Sequence, residues 1–402
     1  MKNNIFDFIF ILKLMSNSKS IPYYFTILIT VILSFYAAAV QAQEPKESKW
    51  EMMKDTLDGK LDLTQYIIKA HGLIPIPFII TQPALGSFGL GFAPVLLSPK
   101  KRPEGYKGYI PPDITAGFGM YTANDSWAVG AGRIGSFLKP GIKYRAFFGY
   151  ADINMSYYQD LPNFGTKEFE FNITATPIFL QVSKKLFKSE SYLGVQYIYS
   201  KNVLKPNFKE SLPEFVTSKT LDSNIGSVGL FLDRDTRNTI FTPDKGIKMD
   251  ILCNFNANWT GSDYVFQKFQ AYTNWFFPIR DNWISGLHFD YQQVFGDTPF
   301  YLKPFVDLEG IPAERYQGNS VFVAETEQRY DFTFRWSVVG FGGVGKTIND
   351  GENFNTGKLV YNYGTGIRYY LARAFGLRAG LDIAKGPDSW GYYIVFGQSW
   401  NK

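Results

Sequence analysis

The chain has 402 residues, 45% of them apolar and 18% aromatic, with 41 basic against 36 acidic side chains and a net charge of +5. That excess is small for the length and has no basic block, so it gives no reason to expect nucleic acid as a partner. A single cysteine, Cys253, excludes an intrachain disulfide, and no metal-ligand spacing surrounds it or the two histidines, His71 and His288.

At the N-terminus Lys19 precedes an apolar stretch from Tyr24 to Ala39, which ends in the small-residue exit Val40-Gln41-Ala42. This predicts a secretory signal peptide over residues 1–42, with cleavage after Ala42 and Met15 as an alternative start. No later apolar run reaches the roughly 18 residues that a membrane-spanning helix needs. Residues 43–84 read as a periplasmic linker, a small plug or a piece that packs under the barrel mouth. They begin polar and offer a short helix over Leu61 to Ala70, with Asp62 as its cap and Leu63, Tyr66 and Ile67 on one face. The run Ile74-Pro75-Ile76-Pro77 then forces an extended path.

From Leu85 the chain offers fifteen strand candidates. They run Leu85 to Leu97, Pro112 to Thr122, Ser126 to Leu138, Gly141 to Tyr157, Lys167 to Leu186, Tyr192 to Val203, Asp222 to Leu232 and Lys245 to Asn256. The later ones are Asp263 to Phe277, Asn282 to Gly296, Asn319 to Asp331, Thr333 to Lys346, Gly357 to Leu371, Phe375 to Ala384 and Gly391 to Trp400. The last of these show the pattern best. Thr365, Ile367 and Tyr369 alternate with Gly364, Gly366 and Arg368, and Leu377, Ala379, Leu381 and Ile383 with Arg378, Gly380 and Asp382. Apolar residues turned outward to lipid and Gly, Arg and Asp turned into a wet lumen predict an all-β fold, a transmembrane antiparallel barrel over residues 85–402. Such barrels have even strand counts, so a sixteenth strand is expected within Lys167 to Leu186, which Pro177 interrupts, or within residues 204–221. Cys253 falls in the apolar register of Ile247, Met249 and Ile251 and reads as a small outward residue.

Chemistry-bearing motifs are sparse. Gly130-Ala131-Gly132-Arg133-Ile134-Gly135 matches a dinucleotide fingerprint, but it lies inside a strand with no helix N-terminus to cradle a pyrophosphate. His288 shares the predicted lumen face with Asp290, and no serine nucleophile motif accompanies them. The reading assigns no catalytic residue, metal or cofactor, and the protein is not expected to be an enzyme.

Two segments carry a family resemblance. The hairpin Asp233-Arg234-Asp235 followed by Pro243 and Gly246 resembles the Asp-x-Arg-Asp...Pro-x-x-Gly turn of BamA/TamA-type outer-membrane assembly and secretion barrels, the bacterial surface antigen family. The stretch Glu309-Gly310 to Arg315-Tyr316-Gln317-Gly318, followed by Glu327 and Arg329, resembles that family's long loop and the strand after it. The chain would be a short member without the periplasmic POTRA modules.

The resemblance implies that the loop folds back into the lumen. It also implies that an arginine at the loop tip meets a carboxylate on a following strand. Here Glu309 stands at the tip, and the carboxylate is replaced within Phe341-Gly342-Gly343-Val344-Gly345. Glu309 is then expected to pair with Arg329 first, or with Arg335, Arg368 or Arg315, on a lumen face that also carries Glu327 and Asp382. A lateral seam is implied between the first strand, with Gly86, Gly89, Gly91 and Pro94, and the last, with Gly391, Gly397 and Trp400. The implied function is insertion or translocation of client proteins, or lipids, through that seam in the outer membrane of a diderm bacterium. Expected partners are outer-membrane lipid and lipopolysaccharide, with client outer-membrane proteins or a periplasmic protein as candidates. The alternatives are a passive channel or transporter and an outer-membrane lipase, and the inward register of His288 speaks against the lipase.

Overall fold

The computed structural model describes residues 51–400 apart from 70–72, 99, 101–111, 139–140, 162–164, 188, 209–212 and 214–215. The signal-peptide reading of residues 1–42 lies outside the described residues.

A short helix, α1 (Thr64–Lys69), precedes sixteen strands. The first eight are β1 (Leu73–Ile80), β2 (Gly89–Ser98), β3 (Asp113–Thr122), β4 (Trp127–Phe137), β5 (Ile142–Leu161), β6 (Gly165–Lys185), β7 (Ser191–Pro206) and β8 (Asp222–Asp235). The others are β9 (Gly246–Asn256), β10 (Phe266–Arg280), β11 (Trp283–Gly296), β12 (Ser320–Asp331), β13 (Trp336–Ile348), β14 (Lys358–Ala372), β15 (Leu377–Lys385) and β16 (Trp390–Phe396). They form one sheet in chain order, and every described ladder is antiparallel and joins chain neighbours. The sheet curls into a nearly closed transmembrane barrel. We call the rim where β1 begins and β16 ends the entry rim, and the opposite one the far rim.

Period-two alternation assigns the walls. Phe148, Leu180, Leu193, Leu230, Trp275 and Leu381 are exposed on the outer face, as an apolar belt in lipid requires. Arg368, Asp382, His288, Glu325 and Glu327 point inward and are buried. Cys253 faces outward and is half-buried.

The sixteenth strand is not where the sequence suggested. Lys167 to Leu186 contains one strand, β6, running unbroken through Pro177, and the missing strand is β1, inside the stretch expected to be a linker. The barrel therefore begins at Leu73, and Leu85 to Leu97 corresponds to β2. Two prolines hid β1, and the ladders explain how it tolerates them. Pro75 lies opposite Pro94, while the β2–β3 ladder is interrupted at Ala93 and Pro94. The nitrogen of Pro94 thus points toward β3, so Pro75 and Pro94 form a pair not joined by hydrogen bonds. The nitrogen of Pro75, and by parity that of Pro77, then points to the open edge, where no ladder donor is required.

Candidate functional site: the seam and the filled lumen

Among the described residues no ladder joins β1 to β16. The Ile394 N–H donates to Thr81 Oγ1 at 3.4 Å across the gap. Gly86, Gly89, Gly91 and Pro94 do not line this edge, contrary to the sequence reading, because β1 lies outside them. Gly86, at φ +80°, closes the turn after Pro83–Leu85. Gly89 and Pro94 lie on β2, and Gly91 makes room there for Phe78, whose ring would sit 2.1 Å from an added Cβ. Gly391 does lie on the edge strand β16. Trp400 does not: the chain turns inward at Gly397, φ +93°, whose N–H donates to the Arg378 carbonyl at 2.7 Å. Trp400 then lies inside the lumen. Its ring stacks on His288 at 5.4 Å, its Nε1 donates to Glu325 Oε2 at 2.6 Å, and its carbonyl accepts from Asn274 Nδ2 at 3.3 Å. Ser399 Oγ donates to Glu327 Oε2 at 3.0 Å. His288 meets Asn274 through Nδ1 at 2.6 Å, and Asp290 accepts from Gln270 and Gln292.

The loop between β11 and β12 enters the lumen from the far rim. It folds on itself, with Val306 N–H on the Tyr316 carbonyl and Gly318 N–H on the Pro304 carbonyl. Val306, Leu308, Ile311 and Tyr316 pack with Val321, Val323 and Val360 in one buried cluster. β13 receives it on glycines: a Cβ on Gly345 would lie 2.3 Å from Val306, and one on Gly343 would lie 3.0 Å from Leu308. Where the family resemblance leads one to look for a carboxylate, this chain has an apolar seat. Gly310, at φ +84°, donates its N–H to the Tyr393 hydroxyl at 2.7 Å. Arg315 meets Asp388 at 3.2 Å. Tyr316 donates its hydroxyl to the same carboxylate at 2.7 Å, and with Arg315 holds it below the usual range.

Glu309 does not find Arg329. Its carbonyl accepts from Asn362 Nδ2 at 3.0 Å, while its buried Oε2 has no hydrogen-bond partner among the described residues. The charges around it are Asp382, Glu325 and Glu327, with Arg368 the opposing cation. Arg368 is already committed to Asp382 through Nη2 at 2.7 Å and lies 3.9 Å from Glu327.

Arg329 is engaged at the entry rim, with Asp331 at 3.1 Å and with Asp244. Asp244 belongs to the β8–β9 hairpin, which crosses the mouth. Thr239 Oγ1 donates to the Phe375 carbonyl at 2.7 Å, and Thr242 Oγ1 accepts from the Arg378 N–H at 3.2 Å. At the base of this hairpin Asp235 pairs with Arg237 at 2.7 Å and Asp233 with Lys248 at 2.5 Å. Arg234 reaches Ser191 outside at 3.5 Å. Pro243 lends its carbonyl to Arg329. Gly246, at φ +110°, would place a Cβ 2.4 Å from the Thr236 carbonyl oxygen.

Arg335, on the β12–β13 turn, is held by the segment before β1. Asp55, Asp58 and Asp62 all pair with it, the last two at 2.8 and 2.9 Å, and Asp55 also meets Arg373 at 3.1 Å. Backbone bonds join the same partners: Leu63 N–H reaches the Leu371 carbonyl at 2.8 Å, and Ala374 N–H reaches Thr64 Oγ1 at 3.1 Å. This strap is thus tied to the β12–β13 and β14–β15 turns at the entry rim. The cap expected of Asp62 is present, since its Oδ1 accepts from Thr64 N–H at 2.8 Å. Sequence reasoning missed the strap's ion pairs, although the repeated aspartates of Asp55-Thr56-Leu57-Asp58-Gly59-Lys60-Leu61-Asp62 were a visible signal.

No family model matches the sequence, and no curated protein matches it. Solved structures do match. BamA from Haemophilus ducreyi lacking POTRA domains 1–3 superposes with a TM-score of 0.55 at 11% identity, over 80% of this chain and 69% of that one. CdiB from Escherichia coli gives 0.55 at 11%, over 80% and 61%. The fold is that of the BamA and CdiB barrels. CdiB from Acinetobacter baumannii gives 0.51 at 9% identity, over 88% of this chain and 72% of that one. The chain spans about three fifths of the Escherichia coli CdiB.

Proposed function

We propose that this chain is an outer-membrane barrel that inserts or translocates its clients through the gap between β1 and β16. The entry rim would face the periplasm and the far rim the outside. The observation that carries this reading is the unladdered seam itself. Unpaired backbone groups facing hydrocarbon are costly, so an edge that stays open in a bilayer is expected to be used. The BamA and CdiB fold supports an insertion or translocation role and leaves the clients open.

The test is a cysteine pair at Thr81 and Ile394 in a Cys253→Ser background. Oxidation should abolish the protein's contribution to envelope integrity, and reduction should restore it. Full function with the seam locked would overturn the proposal. A passive channel, the rival reading, needs an open polar lumen, whereas here the loop, the C-terminal residues and the β8–β9 hairpin occupy that side.

A further inference from the structure

The lumen has two unlike walls. From β7 to β15 the inward residues are largely polar and lie under the three inserted segments; His288 is 2% exposed and Glu325 7%. From β1 to β4 the inward residues are apolar or small, as Ile76, Phe78, Val95, Phe118 and Met120 illustrate, and Phe147 of β5 stacks on Phe118 at 6.0 Å. Ile76 is 44% and Ile134 49% exposed on this wall, while Thr122 and Ala128, toward the far rim, are buried. The part of the lumen left open is therefore its apolar part, next to the seam.

β1 is apolar on both faces. Leu73 and Ile79 face outward in register with Leu96 and Leu90, while Ile74, Ile76, Phe78 and Ile80 face inward. The apolar inner wall is thus continuous with the outer wall around a free edge. That edge is poorly made for a peptide strand, because Pro75 and Pro77 withhold two of the donors that strand addition would use. An acyl chain requires apolar surface and no donors. At the entry rim of the same wall, Lys143 and Arg145 are exposed on the inner face of β5, a positive end to an otherwise greasy surface. At the far rim of β5 and β6 the aromatics Tyr157, Phe171 and Phe300 pack together.

We propose that the inner wall of β1 to β5 is a binding surface for a glycerophospholipid. Its acyl chains would lie on Ile76, Phe118 and Met120, with its phosphate at Lys143 and Arg145, and it would be admitted past the proline-blunted edge of β1. This deepens the seam reading and rests on it by naming the class of client. The position of the cations at the entry rim selects an inner-leaflet phospholipid over lipopolysaccharide.

The experiment places p-benzoylphenylalanine at Phe118 in the full chain, in nanodiscs of phosphatidylethanolamine and phosphatidylglycerol and in native outer membrane. Irradiation is followed by mass spectrometry of the adduct. The expected result is a phospholipid adduct at Phe118, which falls several-fold in a Lys143→Gln, Arg145→Gln background. The same probe at Ile79 on the outer wall should label lipid in both backgrounds. An adduct at Phe118 with lipopolysaccharide, with residues 1–50 of this chain or with another polypeptide would overturn the proposal, as would no lipid adduct or one indifferent to the two cations. The seam disulfide separates the two readings. A lock that abolishes function while Phe118 gathers no lipid removes the lipid site alone, whereas a lipid adduct with a harmless lock removes the seam reading.

Discussion

Arg335 has a side chain only 2% exposed and faces three carboxylates. Removing the cation from such a site leaves buried charge uncompensated, at a cost of about 3–5 kcal/mol. Arg335→Gln should therefore release residues 53–69 while the barrel stays heat-modifiable, seen as lost hydrogen-exchange protection in that segment alone. Acid should do the same at a defined point. The hydrogen bond from Arg335 holds the Asp58 carboxyl down at about 2, below its unfolded value of about 3.9. A depressed carboxylate stabilises above its unfolded pKa and loses that contribution as pH falls through the folded one. Strap protection should thus be steady down to about pH 4 and decline toward pH 2, and a loss centred near neutrality would contradict this. Glu309 shows why such partners were illegible in the sequence. Its charge could be read, but the cations proposed for it were claimed by Asp331 and Asp382 nearby, and by Asp244, Asp388 and the strap across 73 positions or more, which no local register encodes.

At the level of elements, the strands were legible because alternation is local, and each candidate from Leu85 onward overlaps a strand. β1 was missed because Pro75 and Pro77 argue against a strand unless it is an edge, and edge status belongs to the closed sheet. The same prolines make a prediction. If the Thr81–Ile394 contact continues antiparallel, positions 77 and 75 come opposite Gln398 and Trp400, the residues that have turned inward. Pro75→Val with Pro77→Val restores the two donors, so the C-terminal residues should leave the lumen and pair with β1. Amide protection would then appear at residues 75 and 77, and the seam disulfide yield would rise. No gain in either would show that the prolines do not keep the seam apart. The glycine seat on β13 is as specific. Gly345→Leu would drive carbon into Val306, and overpacking of this kind costs about 1–3 kcal/mol or more. The β11–β12 loop should lift from the lumen, measured as new protease sensitivity within residues 304–318 while the strands stay protected.

For the whole molecule, the barrel architecture could be read from the alternation, but the lumen could not. A wet polar interior was the expectation, and only half of it holds. On β3, Ile114, Ala116, Phe118 and Met120 alternate with Thr115, Gly117, Gly119 and Tyr121, a pattern in which neither face is marked as inner. The occupied polar half should make the intact barrel a poor conductor in planar bilayers. Conductance should rise severalfold when residues 305–317 are replaced by a short glycine-serine linker, whereas a large, steady conductance of the intact chain would favour the passive channel.

All described ladders join strands adjacent in the chain, which bears on how the protein acquires its structure. A barrel closed by pairing its first and last strands must bring together residues more than three hundred positions apart, whereas hairpins between neighbours close short loops at low entropic cost. Assembly can then proceed hairpin by hairpin without waiting for a terminal ladder. The remote ties, Asp55 to Arg335 and Trp400 to Glu325, would come last. Substitutions at those ties should leave the early growth of the sheet unchanged and slow only the final step of maturation.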